Sequence, residues 1–287
     1  MIPPWLASAR AVHFAACLLI LAVCVFDRFI ANGPPWRFIA RWLCFIALPL
    51  AMASGVVWLL QVTISMSGEP LNAGDLELVW SQTRFGSVWQ VRLYIWIALL
   101  VAILWALAPK KTRRLPAWLA LVLSAALTGS LAWSGHGQYG RPVAVHLASD
   151  AVHLIVAGCW PAGLAPLVLL LFLSERTPVL VIRRFSAMSL ASVGLLALTG
   201  TINSWYMLGS IHGLFSTTYG RVLMVKVAVF LVMVGFGAVN LLRLKPALES
   251  KPRAGVRLRW NVVAETILFA AVIVVVSILG LLMPPMP

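Results

Sequence analysis

The stretch from Trp260 to Met283, WNVVAETILFAAVIVVVSILGLLM, carries a single charged side chain, Glu265. An α-helix needs about 20 apolar residues to cross the hydrocarbon core of a bilayer, and this run supplies them. Seven further runs of the same kind precede it. Helices are predicted near Val12–Ala31, Trp42–Ile64, Gly86–Leu107, Pro116–Trp133, Val143–Leu173, Phe185–Leu208 and Tyr219–Leu242. Pro34-Pro35, Pro109, Pro178 and Pro246 fall between these runs, as helix breakers do. The reading is an all-α, polytopic membrane bundle of about eight transmembrane helices, a single transmembrane unit over residues 1–287.

Composition agrees. Of the 287 residues 62% are hydrophobic and 10% charged, against roughly 25% charged in soluble domains. A mean hydropathy of +0.97 leaves too little polar surface to coat a soluble globule. The net charge of +14 does not point to nucleic acid, because the basic residues sit in short clusters between apolar runs. All but six of the 22 Lys and Arg residues fall in the first, third, fifth and seventh gaps; the exceptions are Arg10, Arg84, Arg92, Arg141, Arg221 and Lys226. Positive loops stay cytoplasmic, so both termini are expected on the periplasmic side, with Arg10, Arg84, Arg92, Arg141 and Arg221 assigned to that side too. The first apolar run lacks a small-residue cleavage site and is interrupted by Asp27-Arg28, so it is read as a retained helix. Cys17, Cys24, Cys44 and Cys159 all lie within apolar stretches, so no extracellular disulfide framework is expected.

All five histidines fall toward the outer half of the bundle on this topology. His146, Asp150 and His153 follow i, i+4, i+7 and share one helical face within about 60°. Two imidazoles and a carboxylate on one stripe suit a metal ion, with Asp150 either a ligand or the group that orients a ring. The plainer alternative is a polar stripe that pairs with another helix, but ionisable residues inside a bilayer are functional by default. His13, Cys17 and Cys24 repeat the pattern on the first helix, where a thiol is equally at home as a small buried hydrophobe. Lys226 lies about 9 Å inside its helix and Asp150 about 10 Å inside its own, so the two are expected to pair. Asn203 and Met207 line the sixth helix, and Met233 the seventh. Imidazole, thiol and thioether together suit copper better than magnesium or calcium.

The segment His146-Leu147-Ala148-Ser149-Asp150-Ala151-Val152-His153, followed by Ala157-Gly158-Cys159-Trp160-Pro161-Ala162-Gly163-Leu164, resembles the copper resistance protein D (CopD) family. So do Ser134-Gly135-His136-Gly137, Arg184-Phe185-Ser186, Leu198-Thr199-Gly200-Thr201-Ile202-Asn203, and Tyr219-Gly220-Arg221 with Lys226. The likeness is best over residues 134–244. Where the family commonly has Trp-x-Gly-Gly, this chain has Trp160-Pro161-Ala162-Gly163, which leaves the local helix path open. The resemblance implies copper uptake or tolerance at the bacterial inner membrane, beside a periplasmic copper carrier, CopC. The expectation is that His13, His136, His146, His153 and Asp150 receive copper. Cys17, Cys24, Met207 and Met233 would lie along its path, and Trp160, Asn203 and Lys226 would line or support it. No Walker phosphate loop, Asp-Lys-Thr phosphorylation motif, Cys-Pro-Cys or His-Glu-x-x-His motif is present, so no enzyme activity is expected. Two rival classes remain: a b-type haem protein with iron held between two of these histidines, and a copper sensor or assembly factor that transports nothing.

Overall fold

The computed structural model describes residues 4–107, 114–135, 142–174, 179–248, 250 and 252–285. Among these residues the regular structure is helical, and eight spans are long and apolar enough to cross a membrane. Large apolar side chains such as Phe45, Leu190, Leu231 and Ile267 point outward, while His13, Arg92, Thr128 and Glu265 are buried. That inside-out distribution is what a lipid solvent selects: outward groups face acyl chains and polar groups must find partners within the bundle.

The first span, α1 (Pro4–Val25), runs on through a π-helical turn at Phe26–Ile30. It begins two turns before the predicted Val12, because Leu6 and Ala9 already bury against the bundle. It is the central element, packed against α2 (Pro34–Ser67), α5 (Arg114–Gly129), α6 (Val143–Cys159), α7 (Leu164–Leu173) and α11 (Pro252–Leu279). The face at which α1 begins is called here the near face, and the face at which it ends the far face. Pro34 and Pro35 open α2 rather than lie in a gap, which suits a first turn whose N–H groups have no helical partner. A short helix, α3 (Ala73–Gln82), separates the second and third spans; its first turn is capped by the Asn72 side chain, which accepts from Asp75 N at 2.9 Å. The third span is α4 (Arg84–Leu107), and α5 ends in a 3-10 turn at Ser130–Ser134.

The fifth span is two helices, not one. Pro161 has no N–H to give, and the chain between α6 and α7 turns through Trp160–Gly163 with Ala162 N bonded five residues back, to Ala157 O at 3.0 Å. Gly163 is required there, since a Cβ would sit 2.9 Å from Phe185 Cε2. The sixth span, α8 (Val179–Leu208), packs along α6. A one-and-a-half-turn helix, α9 (Ile211–Ser216), leads into α10 (Thr218–Val239), which ends in a second π-helical turn, Asn240–Leu244, and packs against α11. α8 and α11 begin before the predicted Phe185 and Trp260, carrying Arg183, Arg184, Arg253, Arg257 and Arg259 on their first turns.

Candidate metal site at the near face

His146, Asp150 and His153 project from the first turns of α6 into one cavity of about 180 Å³. Asn203 and Met207 of α8, Tyr219 and Lys226 of α10, and Arg10 of α1 line the same space. The i, i+4, i+7 spacing does place all three on one face. It also spreads His146 and His153 about 10 Å along the axis. Among the described residues, accordingly, no three His, Cys, Asp or Glu side chains converge on one point. The stripe offers adjacent donor pairs, His146 with Asp150 and Asp150 with His153. His136 lies outside the described residues.

His153 has a defined tautomer. Its Nδ1 lies 2.9 Å from Thr199 Oγ1, whose own proton goes to Leu195 O at 2.6 Å. Thr199 can then only accept, so Nδ1 carries the hydrogen and Nε2 keeps its lone pair. Hydrogen-bonding one ring nitrogen to fix the other is how histidine ligands are oriented in metal sites. His146 is buried and stacks on Tyr206, with ring centroids 4.7 Å apart and planes within 6°. Asp150 Oδ1 accepts from Asn203 Nδ2 at 3.3 Å, while Lys226 lies within electrostatic reach of the carboxylate. The contact that Asp150 makes is thus with the Asn203 amide, and the Lys226 pairing anticipated from depth is an electrostatic proximity without a direct ion pair. Asn203 Oδ1 is buried without a hydrogen-bond partner, an acceptor left over beside the cavity.

The α1 row is elsewhere. His13 does not line this cavity but faces α2 and α4, between the rings of Trp58 and Trp89. Its Nδ1 donates to Ala51 O at 2.9 Å, which leaves the lone pair on Nε2. That lone pair is occupied: Arg92 Nη2 donates to it at 2.6 Å, and Cys17 Sγ lies 3.6 Å from the same nitrogen. Arg92 is 1% exposed and anchored by Nη1 bonds to Leu127 O and Ser130 Oγ. Arg92 and Arg10, both counted with the outer side in the sequence, are buried inside the bundle rather than set in a loop, Arg10 over the Trp58 ring. An arginine six residues past the start of the predicted Gly86–Leu107 helix was the available signal, since such a residue faces the interior and needs partners.

The remaining path candidates are scattered. Met207 lines the near cavity, Met233 is buried in the core, and Trp160 is buried at the break between α6 and α7, edge-on to Phe230. Cys24 lies at the far face, where it lines a second cavity with Cys44. Glu265, also toward the far face, accepts from Asn240 Nδ2 at 2.6 Å, and Asn240 Oδ1 accepts from Asn261 Nδ2 at 2.9 Å.

Comparisons with known proteins bear on this arrangement. The family model described as copper resistance protein D-like, N-terminal domain, matches residues 1–143, and that described as copper resistance protein D matches residues 179–279. The chain is 30% identical over 276 residues to a Pseudomonas syringae pv. tomato protein named copper resistance protein D, covering 88% of this chain and 85% of that one. It is 26% identical over 282 residues to Bacillus subtilis (strain 168) copper transport protein CutJ, covering 94% of this chain and 52% of the relative, so it spans about half the length of that protein. It is also 26% identical over 297 residues to inner membrane protein YebZ of Escherichia coli (strain K12), covering 98% of each. No solved structure matches.

Proposed function

The chain belongs to the copper resistance protein D family, and from that premise we propose that it receives copper at the near face and passes it inward across the membrane. It is a multi-pass protein of the bacterial inner membrane. The near face is read as periplasmic because the gaps at the far face hold most of the Lys and Arg residues. The far-face gaps include Arg28, Arg37 and Arg41, and Arg243 with Lys245. A periplasmic carrier of the CopC kind would then meet the protein on the side of the cavity. The whole protein's activity is that of a carrier or tolerance factor rather than an enzyme.

The observation that carries this reading is the Thr199–His153 contact, which leaves the Nε2 lone pair on a ring that lines a cavity also lined by Asp150. A copper ion bound there would take neutral imidazole nitrogen and carboxylate oxygen, with the Met207 thioether on the same wall. Asn203 donates to the carboxylate, and Lys226 lies within electrostatic reach of it, before the ion arrives. A cation then competes with Lys226 for Asp150, a built-in means of weakening the metal's hold so that it can leave. His136 is proposed as a further donor. The haem alternative is disfavoured by size: about 180 Å³ is below the roughly 300–1,000 Å³ of organic ligand pockets.

Elemental analysis and an absorption spectrum of the purified protein test the proposal. We expect copper without a Soret band. His146→Ala and His153→Ala should each lower bound copper, while His212→Ala, at an exposed position on α9, should not. Equal copper in all three variants, or a Soret band, overturns the reading. Reporter fusions after Arg184 and Asp75 should report cytoplasm and periplasm respectively; the reverse result overturns the direction.

A further inference from the structure

The second cavity, at the far face, has chemistry that the near site does not use. It encloses about 200 Å³ between the end of α1 and the start of α2, with α4 and α5 behind. Cys24 and Cys44 line it from the two antiparallel helices, together with Asp27, Trp36, Arg37 and Arg41. Both cysteines are free and buried, at 7% and 5% exposure. The two thiols and the Asp27 carboxylate lie within electrostatic reach of one another. Asp27, Arg37 and Arg41 are exposed, so the space opens to the far face. Asp27 is tied back by Trp36 Nε1, which donates to Oδ1 at 3.0 Å.

We propose that Cys24 and Cys44 form a second site, for a soft monovalent metal ion of the Cu(I) class, held by two thiolates. Three features of the cavity select this ligand. Thiolate sulfur prefers soft ions, and Cu(I) accepts two donors, so a pair suffices where a harder ion needs three or four. Binding converts two neutral thiols and one monovalent cation into a bis-thiolate complex of charge −1 and releases two protons. No electron is transferred, because the ion enters and leaves as Cu(I). The negative complex is matched by the guanidinium groups of Arg37 and Arg41 on the same wall. Finally, Cys24 lies in the last turn of α1, two residues before the π-helical turn at Phe26–Ile30, an interruption of the kind found at functional positions. The inference rests on the copper-handling reading and deepens it by naming the far-face site and the oxidation state released there.

The test uses the full-length protein in detergent, titrated anaerobically with Cu(I) in the presence of a competing chelator. Bound copper and the ultraviolet thiolate-to-copper charge-transfer band are both read. Wild type should show the band. Cys24→Ser and Cys44→Ser should each abolish it and lose one copper equivalent, and Cys24→Ala should match Cys24→Ser with thermal unfolding unchanged. Cys159→Ser should keep the band, and His153→Ala should lose the other equivalent while keeping the band. A band that survives in either Cys24 or Cys44 variant overturns the inference. So does an absent band in wild type with His153-dependent copper intact, which leaves the near site standing. A band without any His153-dependent copper supports the thiolate site and overturns the near one.

Discussion

His153 on α6 and His13 on α1 begin from the same local arrangement. Each gives its Nδ1 proton to an oxygen on a neighbouring helix, Thr199 Oγ1 and Ala51 O, both at 2.9 Å. Each therefore turns an Nε2 lone pair toward the space beyond. The two differ in what lies in that space. The His153 ring borders a cavity shared with Asp150, whereas His13 Nε2 is 2.6 Å from the Arg92 guanidinium. Two donor rows that share an i, i+4 start in the sequence, the α6 row the sharper of the two, thus diverge further in the fold, one open and one capped by a cation. The i, i+4 spacing supplies a donor pair; what packs opposite the pair decides whether a metal can reach it.

The comparison breaks most visibly at Arg92. Arg92→Met removes the cap and three hydrogen bonds, to Leu127 O, Ser130 Oγ and His13 Nε2, while Leu127 O keeps Ser130 Oγ as a donor at 2.8 Å and His13 Nε2 keeps Cys17 Sγ at 3.6 Å. We expect a loss of roughly 3 kcal/mol in stability, since charge-assisted hydrogen bonds of about 1.5–3 kcal/mol each are lost while the cost of burying the guanidinium is relieved. The folded fraction should bind an additional copper that disappears in the Arg92→Met/His13→Ala double variant. Thermal unfolding with copper analysis checks both; an unchanged copper count would mean that His13 and Cys17 are no metal pair even when uncapped.

Thr199→Val sharpens the other side. It keeps shape but removes the acceptor that fixes the His153 tautomer, so copper affinity should fall by roughly 10- to 100-fold, the range seen when partners of ligating histidines are removed. Competition with a chromophoric chelator measures it, and an unaltered affinity would separate the tautomer from metal binding. The smallest effect is expected between Asp150 and Lys226. Asp150→Asn and Lys226→Met each leave one charge in the bundle, and the double variant should recover stability beyond the sum of the singles, with a coupling of about 1 kcal/mol. If Asp150 is also a ligand, the double variant recovers fold without copper. Strict additivity with normal copper would remove both residues from the site.

Much of this architecture was legible in the sequence, and the limits have physical causes. The eight spans follow from length and apolarity, as in Trp260–Met283. Their ends do not, because helical hydrogen bonding continues past the apolar run: α11 starts at Pro252 and carries Arg253, Arg257 and Arg259 before Trp260. The α6 stripe was readable because helical periodicity alone puts His146, Asp150 and His153 on one face. The burial of Arg92 was missed because a count of charges by side cannot distinguish an arginine in a loop from one turned inward. The Thr199 contact joins residues 46 apart, and Cys44 meets the Cys24 cavity only once α2 folds back on α1. Neither leaves a mark in local spacing.

The central claim, that the open row and not the capped one receives copper, is tested most directly by copper analysis of His153→Ala and His13→Ala, purified side by side and loaded identically. The account predicts that His13→Ala keeps copper near the wild-type level while His153→Ala loses the near-face equivalent. A full wild-type complement in His153→Ala with the loss of one equivalent in His13→Ala would contradict it.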